Sequence, residues 1–253
     1  MGELKMLLEC CVDCVESAVT AAQNGADRLE LCANLLIGGT TPDINLFYRV
    51  KKKVAPYGTK INVLLRPRFG DFCYSEDEFE ILLADVRLFR EAGADGVVIG
   101  VLKENGTIDE ERMALLMKAA GELPVTFHRA FDVTRDAIEA LEACKRLGIS
   151  TILTSGQKSS AVEGLDLLKE LVQKADGITI MPGSGVSSKN LPLLMESGAT
   201  SYHMSAKKVV DSPMNYRREG VPMGLPMMSE FVLWRCDGEE VARAKSILEK
   251  AGK

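Results

Sequence analysis

NGADRLEL, residues 24–31, decides the fold. A glycine follows a helical stretch, a polar residue comes next, and a β-rich run closes the pattern. The same pattern returns as AGADGVVI at 92–99 and SGATSYHM at 197–204, with LGISTIL at 147–153 as a looser copy. Gly25, Gly93, Gly148 and Gly198 stand where a helix closes through a left-handed residue, a conformation glycine reaches without a Cβ clash. The repeated unit is helix, glycine stop, strand.

Working outward, the segments before these glycines carry helical stripes. One comprises Val15, Ala18, Val19 and Ala22, another Phe79, Leu82, Leu83 and Val86, and a third Ala137, Ala140, Leu141 and Cys144. Between the helices lie short apolar runs: KMLLECCV, DRLELCA, KINVLLR, GVVIGVL, PVTFHRA, TILTSG, ITIMPG and SYHMSA. These are eight strands alternating with helices, and a last helix near 239–251 ends the series. The expected fold is an α/β single eight-stranded parallel β/α barrel, a TIM barrel, in one domain over 1–253. An open doubly wound sheet is the competing topology, but the first strand lacks a GxGxxG turn. An insert at about 208–238 follows the eighth strand. Pro213, Pro222 and Pro226 there are expected to break regular structure, and Met214, Met223, Met227 and Met228 to form an apolar cover or a subunit contact, with thioether metal ligation as the alternative.

The net charge of −5 over 253 residues, without a basic run, argues against a nucleic-acid partner. The apolar runs are too short to span a bilayer, so no membrane partner is expected. The N-terminus shows no apolar stretch with a cleavage site. Seven scattered cysteines suit reduced thiols in a cytoplasm better than a disulfide framework.

In such a barrel the reactive face lies at the C-terminal ends of the strands, and alternate residues point inward. The inward sets are Glu9, Cys11 and Asp13 on the first strand, and Arg28, Glu30 and Cys32 on the second. Arg66 and Arg68 follow on the third, His128 and Asp132 on the fifth with Arg129 at the mouth, and His203 and Ser205 on the eighth. Ionisable groups on faces that should be apolar are costly unless paired or solvated, so their convergence marks a pocket. Glu9, Glu30, Arg66, His128, Asp132 and His203 are the candidates for acid–base catalysis. An interior Glu–Arg network that only packs is the competing reading for Arg28 and Glu30.

Cys10 should face the helix layer, Cys144 should pack in the core, and Cys73 and Cys236 fall in expected loops. Cys11 and Cys32 share the inward direction on adjacent strands. Two thiolates there would suit Cu(I), although two small core cysteines would read the same way. The MPGSGV turn after strand seven exposes backbone N–H groups at Gly183, Ser184 and Gly185. Together with Ser205, Arg66 and Arg129 these make a candidate anion site, and a Gly-rich turn that only links strand to helix is the alternative.

Taken together, ECCVDCVESA, GADRLELCANLLIGGTTPD, LLRPRFGDFCYSEDE, GADGVVIGVL, VTFHRAFD, ILTSG, MPGSGV and YHMSA resemble the copper homeostasis protein CutC family, in order, from about residue 6 to the end. The resemblance implies a cytoplasmic β/α barrel, a homodimer or homotetramer, with a role in copper tolerance and Cu(I) binding. It also implies metal ligands in the E-x-C and E-L-C motifs, here Cys11 and Cys32, and carries no ligand role to Cys10 or Cys14. Two functions stand side by side. One is copper homeostasis with Cu(I) as the bound ion. The other is an enzyme using isomerase- or lyase-like acid–base chemistry on a small phosphorylated or carboxylated ligand.

Overall fold

The computed structural model describes residues 6–218, 220, 221, 223 and 229–252. Eight parallel strands carry the fold: β1 (Leu7–Val12), β2 (Arg28–Leu31), β3 (Lys60–Leu64), β4 (Gly96–Ile99), β5 (Val125–Phe127), β6 (Thr151–Thr154), β7 (Thr179–Pro182) and β8 (Ser201–Met204). Their order is β7-β6-β5-β4-β3-β2-β1-β8, and the two end strands lie side by side, so the barrel is nearly closed. Helices α1 (Val15–Gln23), α2 (Ile44–Val54), α3 (Glu76–Glu91), α4 (Glu110–Ala120), α5 (Ala137–Leu147), α6 (Leu165–Lys174) and α7 (Leu191–Met195) alternate with the strands. The eight strand segments read from the sequence are the eight observed. Gly25, Gly93, Gly148 and Gly198 all have positive φ, between 73° and 96°.

The core lies between strands and helices. Leu8, Cys10 and Val12 of β1 face the helix layer and belong to it, as do Phe79, Leu82 and Val86 of α3 and Cys144 of α5. Ser75 starts α3 with a capping box, its hydroxyl accepting from the Glu78 N–H while Glu78 accepts from the Ser75 N–H. The stripe of α1 is rotated from the expected one. Its buried residues are Ser17, Ala18, Ala21 and Ala22, and Val15 and Val19 are half-buried. The small alanines allow close packing, and the buried Ser17 hydroxyl accepts the Cys236 N–H.

That bond reaches into the insert, where the sequence reading needs correction. β9 (Lys207–Asp211) and β10 (Val232–Cys236) pair antiparallel, Lys207 opposite Cys236 and Asp211 opposite Val232. The strands flank the prolines, so Pro213 follows β9 without interrupting it. Cys236 ends β10 and is buried, not in a loop. Met214 and Met223 are exposed; Pro222, Pro226, Met227 and Met228 lie outside the described residues. α8 (Gly238–Ala251) returns to the barrel, where Lys245 Nζ meets Asp27 Oδ2 at 2.7 Å and the same oxygen accepts the Leu8 N–H at 2.9 Å. Among the described residues no helix is long and apolar enough to cross a membrane.

Candidate functional site

Strand register builds the floor of the site. Glu9 of β1 stands opposite His203 of β8 on one side and Arg28 of β2 on the other. The three side chains meet inside the barrel. His203 Nδ1 lies 2.7 Å from Glu9 Oε1, and Arg28 Nε donates to Glu9 Oε2. Arg28 Nη2 also reaches Met181 Sδ at 3.4 Å. Burial works to raise the Glu9 carboxyl, but the His203 hydrogen bond and the Arg28 charge outweigh it and hold the group below the usual carboxylate range.

One layer higher, the register sets Cys11 beside Glu30. Cys11 Sγ, a Glu30 carboxylate oxygen and a His203 ring nitrogen all lie within 4.8 Å of one another, and all three residues are buried. His203 Nε2 is 3.9 Å from Glu30 Oε2. Glu30 Oε1 has no hydrogen-bond partner among the described residues. Burial raises the Glu30 carboxyl to about 7, with the Glu9 charge adding to the rise against His203 and Arg28. Burial pulls His203 downward, but the charges of Cys11 and Glu30 and hydrogen bonds to Cys11 and Glu9 carry it well above the ordinary histidine range.

Above this cluster a cavity of about 450 Å³ opens at the strand C-termini. Cys11, Glu30 and His203 line it from β1, β2 and β8, and Arg66, His128 and Arg129 from beyond β3 and β5. By strand order β5 stands across the barrel from β1. Ser184, Gly185 and Ser205 reach its rim. Thus most of the expected residues converge.

Four candidates sit outside the lining. Glu9 is fully buried beneath His203. Gly183 gives its N–H to the Thr154 carbonyl. Asp132 faces the loop after β6, accepting from Arg129 Nε at 2.7 Å and from the Ser155 and Gln157 N–H groups. Cys32 is also placed elsewhere: it is wholly buried with Leu64 and Val98, and its Sγ points at the Val12 carbonyl 3.6 Å away. Burial, with the charges of Cys11, Glu30 and Asp13 adding, pushes its thiol well up. Arg68 leaves the barrel to pair with Glu78 and Asp71.

The cavity also has residues the sequence did not single out. Phe72 lies under the Arg66 guanidinium at 4.8 Å and against the His128 ring at 4.8 Å between centroids. Lys207, the first residue of the hairpin, also lines the cavity. Neither sits on a barrel strand, so alternation carried no signal for them. A second hollow, of about 530 Å³, lies at the opposite end, but its charges are already matched, Asp27 by Lys245 and Lys60 by Asp95.

The comparisons with known proteins bear on the family and the fold. The CutC family model matches residues 6–208, a span containing every residue of the cavity. A human protein named copper homeostasis protein cutC homolog is 48% identical over 249 residues, covering 96% of this chain and 90% of its own. A Citrobacter koseri family protein CutC is 44% identical over 243 residues, covering 96% and 97%. The crystal structure of a Streptococcus agalactiae protein described as a putative copper homeostasis protein CutC superposes with a TM-score of 0.76 at 31% identity, over 79% of this chain and 98% of that one. Thiamine phosphate pyrophosphorylase from Pyrococcus furiosus, at 15% identity and TM-score 0.59, shares the fold alone.

Proposed function

The chain belongs to the CutC family, and on that premise we propose that it serves copper homeostasis by holding Cu(I) at the barrel mouth, through Cys11 and His203. The observation that carries this reading is the buried meeting of Cys11, Glu30 and His203 within 4.8 Å. A thiolate and an imidazole are donors that Cu(I) favours. The donor set fits in a second respect. Glu9 engages His203 Nδ1, so Nε2 is the ring atom turned toward Glu30, and a carboxylate behind a ligating histidine fixes its tautomer and orientation. Seven free thiols suit a reducing cytoplasm, and exposed Val209, Met214 and Val232 on the hairpin suit a contact between copies in a homo-oligomer.

The sequence resemblance pairs Cys11 with Cys32. The geometry supports Cys11 with His203 more strongly, because both line the cavity while the Cys32 thiol is buried with Leu64 and Val98 outside its lining. Titration of Cu(I) against a competing chelator under reducing conditions tests the site. Cys11→Ser and His203→Ala should each weaken binding, and parent-like affinity in both variants would refute it.

A further inference from the structure

Above the Cys11 cluster, beyond β3 and β5, the cavity wall carries an unneutralised guanidinium and an unmet N–H donor. We propose that this wall seats a small organic oxyanion, its charged end against Arg66 and His128 and its carbon body against Phe72, Leu64 and Leu153.

The His128 ring is the first indication. Its Nδ1 accepts the Ala130 N–H at 3.1 Å, so the ring proton sits on Nε2. His128 is 4% exposed and lines the cavity, and its Nε2 is buried without a partner among the described residues. A buried donor left unmet is destabilising, and a ligand acceptor would relieve it. Burial and the Arg66 charge hold the ring down to about 3, so it is neutral and keeps a single N–H to offer.

Arg66 is the second. It is 7% exposed and forms no salt bridge among the described residues. Its Nη atoms donate to the carbonyls of Gly38, Gly39 and Gly70, and the Tyr74 hydroxyl is a further neighbour; these orient the guanidinium without neutralising it. Asp71, the acid whose charge reaches Arg66, is paired with Arg68, and Asp132 is occupied by Arg129 and backbone N–H groups. A buried cation without a carboxylate calls for an anion from outside.

The rim adds to this. Ser184 and Gly185 both have left-handed φ, 77° and 72°, and the N–H groups of Ser184, Gly185 and Val186 donate to no acceptor among the described residues. Lys207 is a third cation in the lining, after Arg66 and Arg129. The volume argues for a molecule and not a lone ion, since about 450 Å³ lies in the range of small-molecule sites. The apolar patch of Leu64, Phe72 and Leu153 gives a carbon skeleton a surface to cover. On the far side Glu30 Oε1 is an unmet acceptor, suited to a ligand hydroxyl. The class that satisfies both ends is a hydroxylated organic acid or a phosphate ester of similar size, which share the oxyanion. The inference does not rest on copper binding.

The test is calorimetric titration of the full chain, metal-free and reduced, with malate, glycerol 3-phosphate and inorganic phosphate at low ionic strength. Malate or glycerol 3-phosphate should bind more tightly than inorganic phosphate, and which one does so tells carboxylate from phosphate. Arg66→Gln should weaken that binding by about tenfold or more. Because Arg66 also ties three loop carbonyls, His128→Phe is the second variant. It keeps the ring packing on Phe72, loses the Nε2 donor, and should weaken binding severalfold. Because the protein is metal-free and reduced throughout, binding of the probe is read apart from the copper reading. Three results would overturn the proposal: no organic probe binding below about 10 mM, inorganic phosphate binding as tightly as either ester or acid, or unchanged binding in both Arg66→Gln and His128→Phe.

Discussion

His203 and Glu9 are partners in the β8–β1 register, and their side chains meet at 2.7 Å between Nδ1 and Oε1. The contact links floor to cavity. Arg28 holds the other Glu9 oxygen, so the carboxylate is fixed from both sides and fully buried. The imidazole is thereby fixed too, with Nε2 on the side of Glu30.

The first prediction follows from that contact. Glu9→Gln keeps the size of the side chain but removes the charge behind His203. Loss of such an outer partner typically costs 10–100-fold in metal affinity. We expect Cu(I) affinity, measured by chelator competition, to fall by about that factor while the protein stays folded. Unchanged affinity in a folded Glu9→Gln protein would show that Glu9 only packs.

The second concerns the two cysteines. Cys11 Sγ lies within 4.8 Å of the Glu30 and His203 donors, whereas Cys32 Sγ faces the Val12 carbonyl. Cys11→Ser should weaken Cu(I) binding by about tenfold or more, and Cys32→Ser by no more than about threefold. The reverse order would move the ion to the Cys32 side and remove His203 from the ligand set.

The contrast shows where the sequence stops being legible. Alternation correctly turned Glu9, Cys11 and Glu30 inward, because a strand repeats every two residues whatever surrounds it. The stops at Gly25, Gly93, Gly148 and Gly198 were legible because a positive φ is a local demand. Register is not local. Cys11 and Cys32 look like neighbours on adjacent strands, yet the parallel ladder sets Cys11 against Glu30 and leaves Cys32 beyond the end of β2. The pairing of Lys207 with Cys236 is likewise a contact across the insert that no local pattern announces. Phe72 reaches the cavity from a loop, where no periodicity operates.

The third prediction separates scaffold from chemistry at Asp132. Its carboxylate takes hydrogen bonds from Thr154, Ser155, Gln157 and Arg129, joining the segment after β5 to the loop after β6. Asp132→Ala strands these donors and should cost about 2–4 kcal/mol of stability in urea unfolding. Cu(I) affinity should stay within about twofold of the parent. A large loss of Cu(I) affinity at full stability would instead assign Asp132 to the site.

The last prediction is a pH dependence at Glu30. Burial, with Glu9 adding, raises its carboxyl from an ordinary 4.5 to about 7 in the folded protein. Between those values the folded state holds a proton that the unfolded chain releases. Stability from this group is therefore fully present below about 4.5 and is lost as pH rises through about 7. Glu9 runs the other way: its carboxyl is depressed, so its contribution falls away only as pH drops below the ordinary carboxylate value. The window from pH 5 to 8 thus isolates Glu30 from Glu9. Glu30→Gln is neutral throughout it. In metal-free protein the variant should match the parent near pH 5 and exceed it by up to about 3 kcal/mol near pH 8. Urea unfolding of both proteins across that range is the measurement. A difference that does not change with pH would mean that the folded and unfolded proteins titrate Glu30 alike, and that Cys11 and His203 stand beside an ordinary carboxylate.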